Sequence, residues 1–240
     1  VRGTRRLSYS DQKRLHRKRL RVLLLLALVF ITYAALSGVF LSPFRVGSAS
    51  MAPALQPGDR ILLSPIVFGP MSILSGKPLP GFRSPRRGDI VLAEPPGTVR
   101  RGGLALAADN LVRFFTLQTI GLGGKASVEP VLKRVVGLPG DTLRIRGFTA
   151  YIRPEGESGY FSEDELAPSP YDTVLPVLPE GWDSGLPFSG DVEEIVLGPG
   201  QYYLLSDDRG VFYDSRSWGP LEEDAIRALY IGRYWPLGRR

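Results

Sequence analysis

Residues 131–147 read Val131-Leu132-Lys133-Arg134-Val135-Val136-Gly137-Leu138-Pro139-Gly140-Asp141-Thr142-Leu143-Arg144-Ile145-Arg146-Gly147. Two short runs rich in Val, Leu and Ile flank Leu138-Pro139-Gly140-Asp141, where proline fixes φ and glycine reaches the positive-φ region that tight turns use. Apolar, β-branched runs of about four to eight residues between turn signals predict strands. DIVLAE (89–94), LVRFFTL (111–117), EEIVLG (193–198), QYYLLSD (201–207) and YIGRYWP (230–236) read the same way, so the chain after residue 41 is expected to be mostly β. Arg86-Arg87-Gly88-Asp89 is expected to be the turn that opens Ile90-Val91-Leu92, not an adhesion motif.

Upstream, Val22 to Leu41 form 20 residues without a charge, VLLLLALVFITYAALSGVFL. As a helix this stretch would span about 30 Å, the thickness of a bilayer's hydrocarbon core. It exceeds the roughly 7–15 apolar residues of a cleaved secretory signal, so one uncleaved transmembrane helix is expected over 22–41. Residues 1–21 carry nine Lys/Arg against one Asp, which orients that tail toward the cytoplasm and the remainder, 42–240, outside it. The rest of the chain holds 21 Lys/Arg against 23 Asp/Glu, so the formal net charge of +6 belongs to the tail and implies no nucleic-acid partner.

Two further regions stand apart. Residues 104–120 bring Leu104, Ala107, Ala108, Leu111, Phe114, Phe115 and Leu117 to roughly helical spacing, while Val112 and Thr116 equally suit a strand in the second half. This element is read as packed in the core, with a helix on the bilayer surface as the other reading. Residues 153–194 are rich in Pro, Gly and acids and are expected to form a loop-rich insertion facing water.

With no cysteine there can be no disulfide, thiolate metal site or cysteine nucleophile. The single histidine, His16, lies in the basic tail, which excludes a Ser-His-Asp arrangement in the folded part and makes a zinc centre improbable; no metal or cofactor is expected. A serine hydroxyl still needs a base. Lysine serves as one when apolar surroundings disfavour its charged form, and Lys133 sits between Val131-Leu132 and Val135-Val136. The candidate nucleophile is Ser50 in Gly47-Ser48-Ala49-Ser50-Met51-Ala52-Pro53, where small residues admit a substrate backbone. The Ser50 N–H and the Ser48 hydroxyl are candidate oxyanion donors. Ser50 follows Leu41 by nine positions and so lies within about 32 Å of the expected membrane surface.

In order along the chain, Phe44 to Asp59, Arg87-Gly88-Asp89-Ile90-Val91, Lys133 to Asp141, and Ser206-Asp207-Asp208-Arg209 through Asp214-Ser215-Arg216-Ser217-Trp218-Gly219 resemble the boxes of bacterial type I signal peptidases. These are membrane-anchored Ser-Lys proteases. The resemblance implies an antiparallel β catalytic domain with one face in the outer leaflet, a Ser50 nucleophile and a Lys133 general base. It implies S1 and S3 pockets lined by Phe44, Val46, Leu55, Ile61, Leu132 and Leu204, suited to small residues at −1 and −3 of exported preproteins. The substrate would bind as an added strand. Arg134 with Asp207, and Asp214 with Arg216, would be supporting ion pairs. The implied partners are signal peptides and the lipid bilayer, with the chain acting as a monomer in the cell membrane.

Four positions depart from that pattern. Ser206 and Asp208 stand where the family has Gly-Asp-Asn-Arg, and Ala54 replaces a usual threonine. Phe212 occupies the place of a serine that orients the lysine, a role for which Ser206, Ser215 or water could substitute. These departures motivate an alternative, a catalytically silent relative that binds signal peptides or secretion partners. A self-cleaving repressor of Ser-Lys type is a third reading, opposed by an anchor where a DNA-binding helix pair would stand.

Overall fold

A computed structural model describes residues 9–69, 79–98, 112, 129–183 and 190–236. The first element, α1 (Tyr9–Phe40), joins the basic tail from Tyr9 onward to the apolar stretch as far as Phe40 in one 32-residue helix. It ends before Ser42-Pro43, where the proline ring restricts the preceding residue to extended conformations. The Phe40 carbonyl, left without a helical partner, accepts the Ser64 hydroxyl at 2.9 Å. The side chains of residues 9–15, 31 and 33–39 lie outside the described set, and among the described residues no helix is long and apolar enough to cross a membrane. Of the anchor expected over 22–41, the helix is met as far as Phe40. Leu23 to Leu26, Leu28 and Val29 are exposed along it.

Beyond the helix the chain is mostly antiparallel β. In chain order the strands are β1 (Ser42–Arg45), β2 (Arg60–Ser64), β3 (Ile90–Ala93), β4 (Val131–Gly137), β5 (Thr142–Arg146), β6 (Thr149–Arg153), β7 (Phe161–Ser162), β8 (Val192–Val196), β9 (Gln201–Leu205), β10 (Leu221–Glu222) and β11 (Ile226–Trp235). Two short helices follow the pattern of their caps: α2 (Glu163–Leu166) opens on a Ser162–Glu165 capping box, and α3 (Ser215–Trp218) is capped by Asp214. A seven-stranded sheet runs β1-β2-β11-β3-β4-β9-β10, and a four-stranded sheet runs β7-β6-β5-β8. The last strand, β11, thus separates the strand pair that leads to Ser50 from the pair that carries Lys133.

Both turns read from the sequence form as such. Asp89 N–H reaches the Arg86 carbonyl at 3.1 Å with Gly88 at φ 86°, and Asp141 N–H reaches the Leu138 carbonyl at 3.1 Å with Gly140 at φ 86°. The β5–β6 hairpin turns on Gly147 and Phe148, both at positive φ, the geometry that matches the twist of a two-residue hairpin. The unusual Phe148 conformation is held by its buried ring, and a Cβ on Gly190 would lie 2.6 Å from that ring.

Apolar residues collect in three clusters. One joins β1, β2 and the segment between them to β3 and β4 through Val46, Met51, Leu55, Ile61, Leu63, Ile90 and Leu132. A second lies under β3, β4, β9 and β11, and a third packs the two sheets together through Val136, Tyr203 and Leu205 against Leu143, Ile145, Ala150 and Ile152. Of residues 104–120 only Val112 is described, so the reading of that segment lies outside the described residues.

Candidate active site

The nucleophile candidate leaves the sheet on a single turn. After β1, Val46 pairs its backbone with the Asp59 carbonyl at 2.8 Å, and Ala49–Met51 close a 3₁₀ turn through Ala52 N–H to the Ala49 carbonyl at 2.9 Å. Met51 drives that turn into the first cluster, where it is fully buried, and Ser50 is left only 3% exposed beside it. The Ser50 hydroxyl lies 3.0 Å from the Ser48 hydroxyl, and the Ser50 carbonyl accepts the Asp208 N–H at 3.1 Å.

Lys133 sits in the middle of β4, opposite Val91 of β3, and the turn carrying Ser50 packs against this strand. The lysine is 1% exposed, and its Nζ donates to the Ser206 hydroxyl at 2.8 Å. Burial lowers its pKa to about 8; Asp214 opposes that shift, Arg216 adds to it and Asp207 opposes it more weakly. The amine is therefore partly neutral at mildly alkaline pH. Ser50 and Lys133 each have another hydroxyl as hydrogen-bond partner, Ser48 and Ser206 respectively.

Two ion pairs frame the lysine. Arg134, its neighbour, grips Asp207 with two parallel bonds of 2.7 and 2.6 Å, donates to the Gly88 carbonyl at 2.9 Å and stacks 3.9 Å from the Tyr171 ring centre. Asp214 accepts from the Arg216 guanidinium at 2.9 and 2.7 Å, from the Arg216 N–H at 3.1 Å and from the Ser206 N–H at 3.0 Å. Burial pushes the Asp214 carboxyl up, but these donors and the Arg216 charge hold it below its usual range. Asp207 is raised, because burial outweighs the Arg134 charge.

The expected pocket residues divide. Phe44, Val46, Leu55, Ile61 and Leu132 meet around Met51 in one cluster, whereas Leu204 belongs to the neighbouring cluster with Val91 and Val135. Among the described residues no group of three or more His, Cys, Asp or Glu could hold a metal ion.

Sequence reasoning passed over a second buried network. Glu163 accepts from the Arg209 guanidinium, from the Tyr171 hydroxyl at 2.7 Å and from the Ala150 N–H at 3.2 Å. Val174 N–H then bonds the Asp207 carbonyl at 3.0 Å, and Arg209 N–H bonds the Val174 carbonyl at 2.8 Å. Residues 163–174 are thereby fastened to the 206–209 box. Only the abundance of acids in that region hinted at this in the sequence.

Residues 18–235 match the family described as signal peptidase, peptidase S26. Signal peptidase I of Leptolyngbya laminosa is 25% identical over 194 residues, covering 81% of this chain and 68% of that protein. Signal peptidase I U of Bacillus subtilis is 26% identical over 220 residues, covering 91% and 87%. The crystal structure of a signal peptidase I from Enterococcus faecalis V583 shares 22% identity, covers 61% of this chain and 97% of that one, and aligns with a TM-score of 0.33. A match over most of the chain places it among the serine peptidases, a class of hydrolases. The chain belongs to the signal peptidase family, peptidase S26.

Proposed function

We propose that this chain is a signal peptidase I, a membrane-anchored endopeptidase that removes amino-terminal signal peptides from exported preproteins after small residues at −3 and −1. The observation that carries this reading is Lys133, an amine buried in a strand against the Ser48–Ser50 turn, its pKa lowered to about 8 by burial. In the proposed reaction the Ser50 hydroxyl attacks the scissile carbonyl as Lys133 Nζ takes its proton. The Ser50 N–H and the Ser48 hydroxyl receive the negative charge on the carbonyl oxygen. Collapse breaks the peptide bond, the new amino terminus takes the proton from Lys133, and the signal peptide stays as an ester on Ser50. A water then gives a proton to Lys133 and attacks the ester, releasing the signal peptide's carboxylate and restoring the serine.

The pocket assignment rests on Phe44, Val46, Leu55, Ile61 and Leu132 sharing one cluster beside the turn, with Leu204 as a more distant wall. Arg134 with Asp207 and Asp214 with Arg216 serve as supports. The uncharged stretch 22–41 is assigned as the anchor, with the basic tail in the cytoplasm and residues 42–240, including the insertion at about 153–194, on the far side of the membrane. The working form is a monomer, with signal peptides and the bilayer as partners and no nucleic acid or cofactor.

One observation favours the alternative of a silent signal-peptide binder: Ser50 and Lys133 hydrogen-bond to other hydroxyls and not to each other. Cleavage of a preprotein with an A-x-A site by the purified full chain in detergent, beside Ser50→Ala and Lys133→Ala, separates the two. Cutting at that site by the native chain and loss of nearly all activity in both variants supports the peptidase. An inert native chain that still retains signal peptides supports the binder.

A further inference from the structure

A buried lysine amine can rotate about its last bond, so a base that must present its lone pair in one direction needs a partner that fixes it. The 206–209 box supplies two consecutive grips on two consecutive residues of β4. The Ser206 hydroxyl meets Lys133 Nζ at 2.8 Å, and the Asp207 carboxylate takes the Arg134 guanidinium in two parallel bonds. These contacts continue the β4–β9 ladder just beyond its Arg134–Leu205 pair, so register and clasp reinforce each other.

Ser206 is itself held. It is fully buried, and its N–H is bound by Asp214, which Arg216 fixes from the other side. Phe212, two residues before that aspartate, offers no hydroxyl. Its ring lies over the Arg216 guanidinium at 4.2 Å and 6.1 Å from the Phe148 ring centre, where it shields the ion pair. Ser215 is also committed elsewhere, its hydroxyl accepting the Leu204 N–H at 2.9 Å.

We propose that Ser206 is the positioning residue of the catalytic base: its hydroxyl accepts one N–H of Lys133 and thereby fixes where the amine's lone pair points. The proposal rests on the peptidase reading. Ser206 neither gains nor loses a proton over the cycle and forms no bond to substrate. The charged groups that face Lys133 are Asp214, Arg216 and Asp207, and a change at Ser206 leaves all three in place.

The test compares the native full chain in detergent with Ser206→Ala and Ser206→Thr, on the A-x-A preprotein and by NMR of 13Cε-labelled lysine. For Ser206→Ala, kcat should fall about tenfold to a hundredfold with KM within about twofold, part of what a general base contributes. The acid limb of its pH profile and the Lys133 titration should both move to lower pH, since an acceptor that stabilised the ammonium is gone. Threonine, which keeps the hydroxyl, should restore kcat to within about threefold. Trapping of the acyl intermediate should label Ser50 in native and variant alike. An active native chain with an equally active Ser206→Ala variant and an unmoved Lys133 titration would overturn the proposal, as would acylation at Ser206. If native and variant are both inert while the titration still moves, the peptidase reading fails and the Lys133–Ser206 coupling stands.

Discussion

Asp208 donates its backbone N–H to the carbonyl of Ser50 across 3.1 Å, so the box that orients Lys133 also holds the turn that carries the serine. Ser50 lies on the turn between β1 and β2 and Lys133 on β4, which neighbours neither of them in the sheet, and residues 206–208 clasp both through contacts from three consecutive positions. A displacement of this box is expected to separate nucleophile and base together.

Activity should follow the ionisation of Lys133. The ammonium cannot accept the serine proton, so kcat/KM should rise with pH and level off above about 8. A profile that stays flat between pH 6 and 9, measured on the purified chain, would contradict the base assignment.

Burying that lysine costs stability at neutral pH. Its folded pKa is about 8 against an ordinary value of 10.5, so the unfolded state binds more protons between those values and stability rises with pH across that window. Lys133→Met should therefore raise Tm at pH 7, by the equivalent of up to about 3 kcal/mol before the lost hydrogen bond to Ser206 is counted. The gain should shrink as pH climbs from 8 toward 10.5, as thermal unfolding at several pH values will show.

Removing one member of a buried ion pair leaves the other charge stranded. Asp214→Ala should cost about 3–5 kcal/mol, because the Arg216 guanidinium stays buried while it loses its carboxylate. Denaturant midpoints give the loss directly. Activity should drop even under conditions where the variant is folded, since the Ser206 N–H loses its acceptor as well.

Arg134→Met should destabilise by a similar amount at pH 7, leaving Asp207 charged and uncompensated. Without the arginine the folded-state pKa of Asp207 rises further above its unfolded value, so the contribution is kept at acid pH and lost as pH rises. The deficit should consequently narrow toward pH 5. Arg134→Lys should rescue it poorly, since an ammonium cannot reproduce two parallel bonds and the stacking on Tyr171.

Pocket size sets the expected selectivity. Phe44→Ala should let preproteins with valine or leucine at −3 or −1 be cut alongside the alanine substrate, because the ring packs against the cluster of Val46, Ile61 and Leu132. Relative kcat/KM values for such a substrate series measure the change.

Much of this arrangement can be read along the chain. The runs at 89–94, 131–138, 141–147, 193–198, 201–207 and 230–236 all overlap observed strands, because apolar, β-branched runs between turn glycines are a local signal. β1 and β6 are not legible in the same way. Ser42–Arg45 contains a proline that only an edge strand tolerates, and Thr149–Arg153 has just one β-branched aliphatic residue, Ile152. Ser50, Lys133 and both ion pairs were recognisable from their boxes, whereas for the hydroxyl that meets the lysine the sequence left Ser206, Ser215 and water open. Ser206 is 73 positions from Lys133, and only the β4–β9 register decides which of several serines arrives there.

The position of β11 bears on when such an enzyme could become active. Residues 226–235 lie between β2 and β3, so the sheet cannot join the serine-bearing half to the lysine-bearing half until this late segment has been synthesised. Pairings so distant in sequence form slowly, since a long loop must close before any contact rewards it. A nascent chain still lacking residues 226–235 would carry every candidate catalytic side chain, joined only by the 206–208 clasp and side-chain packing and not yet by a continuous sheet.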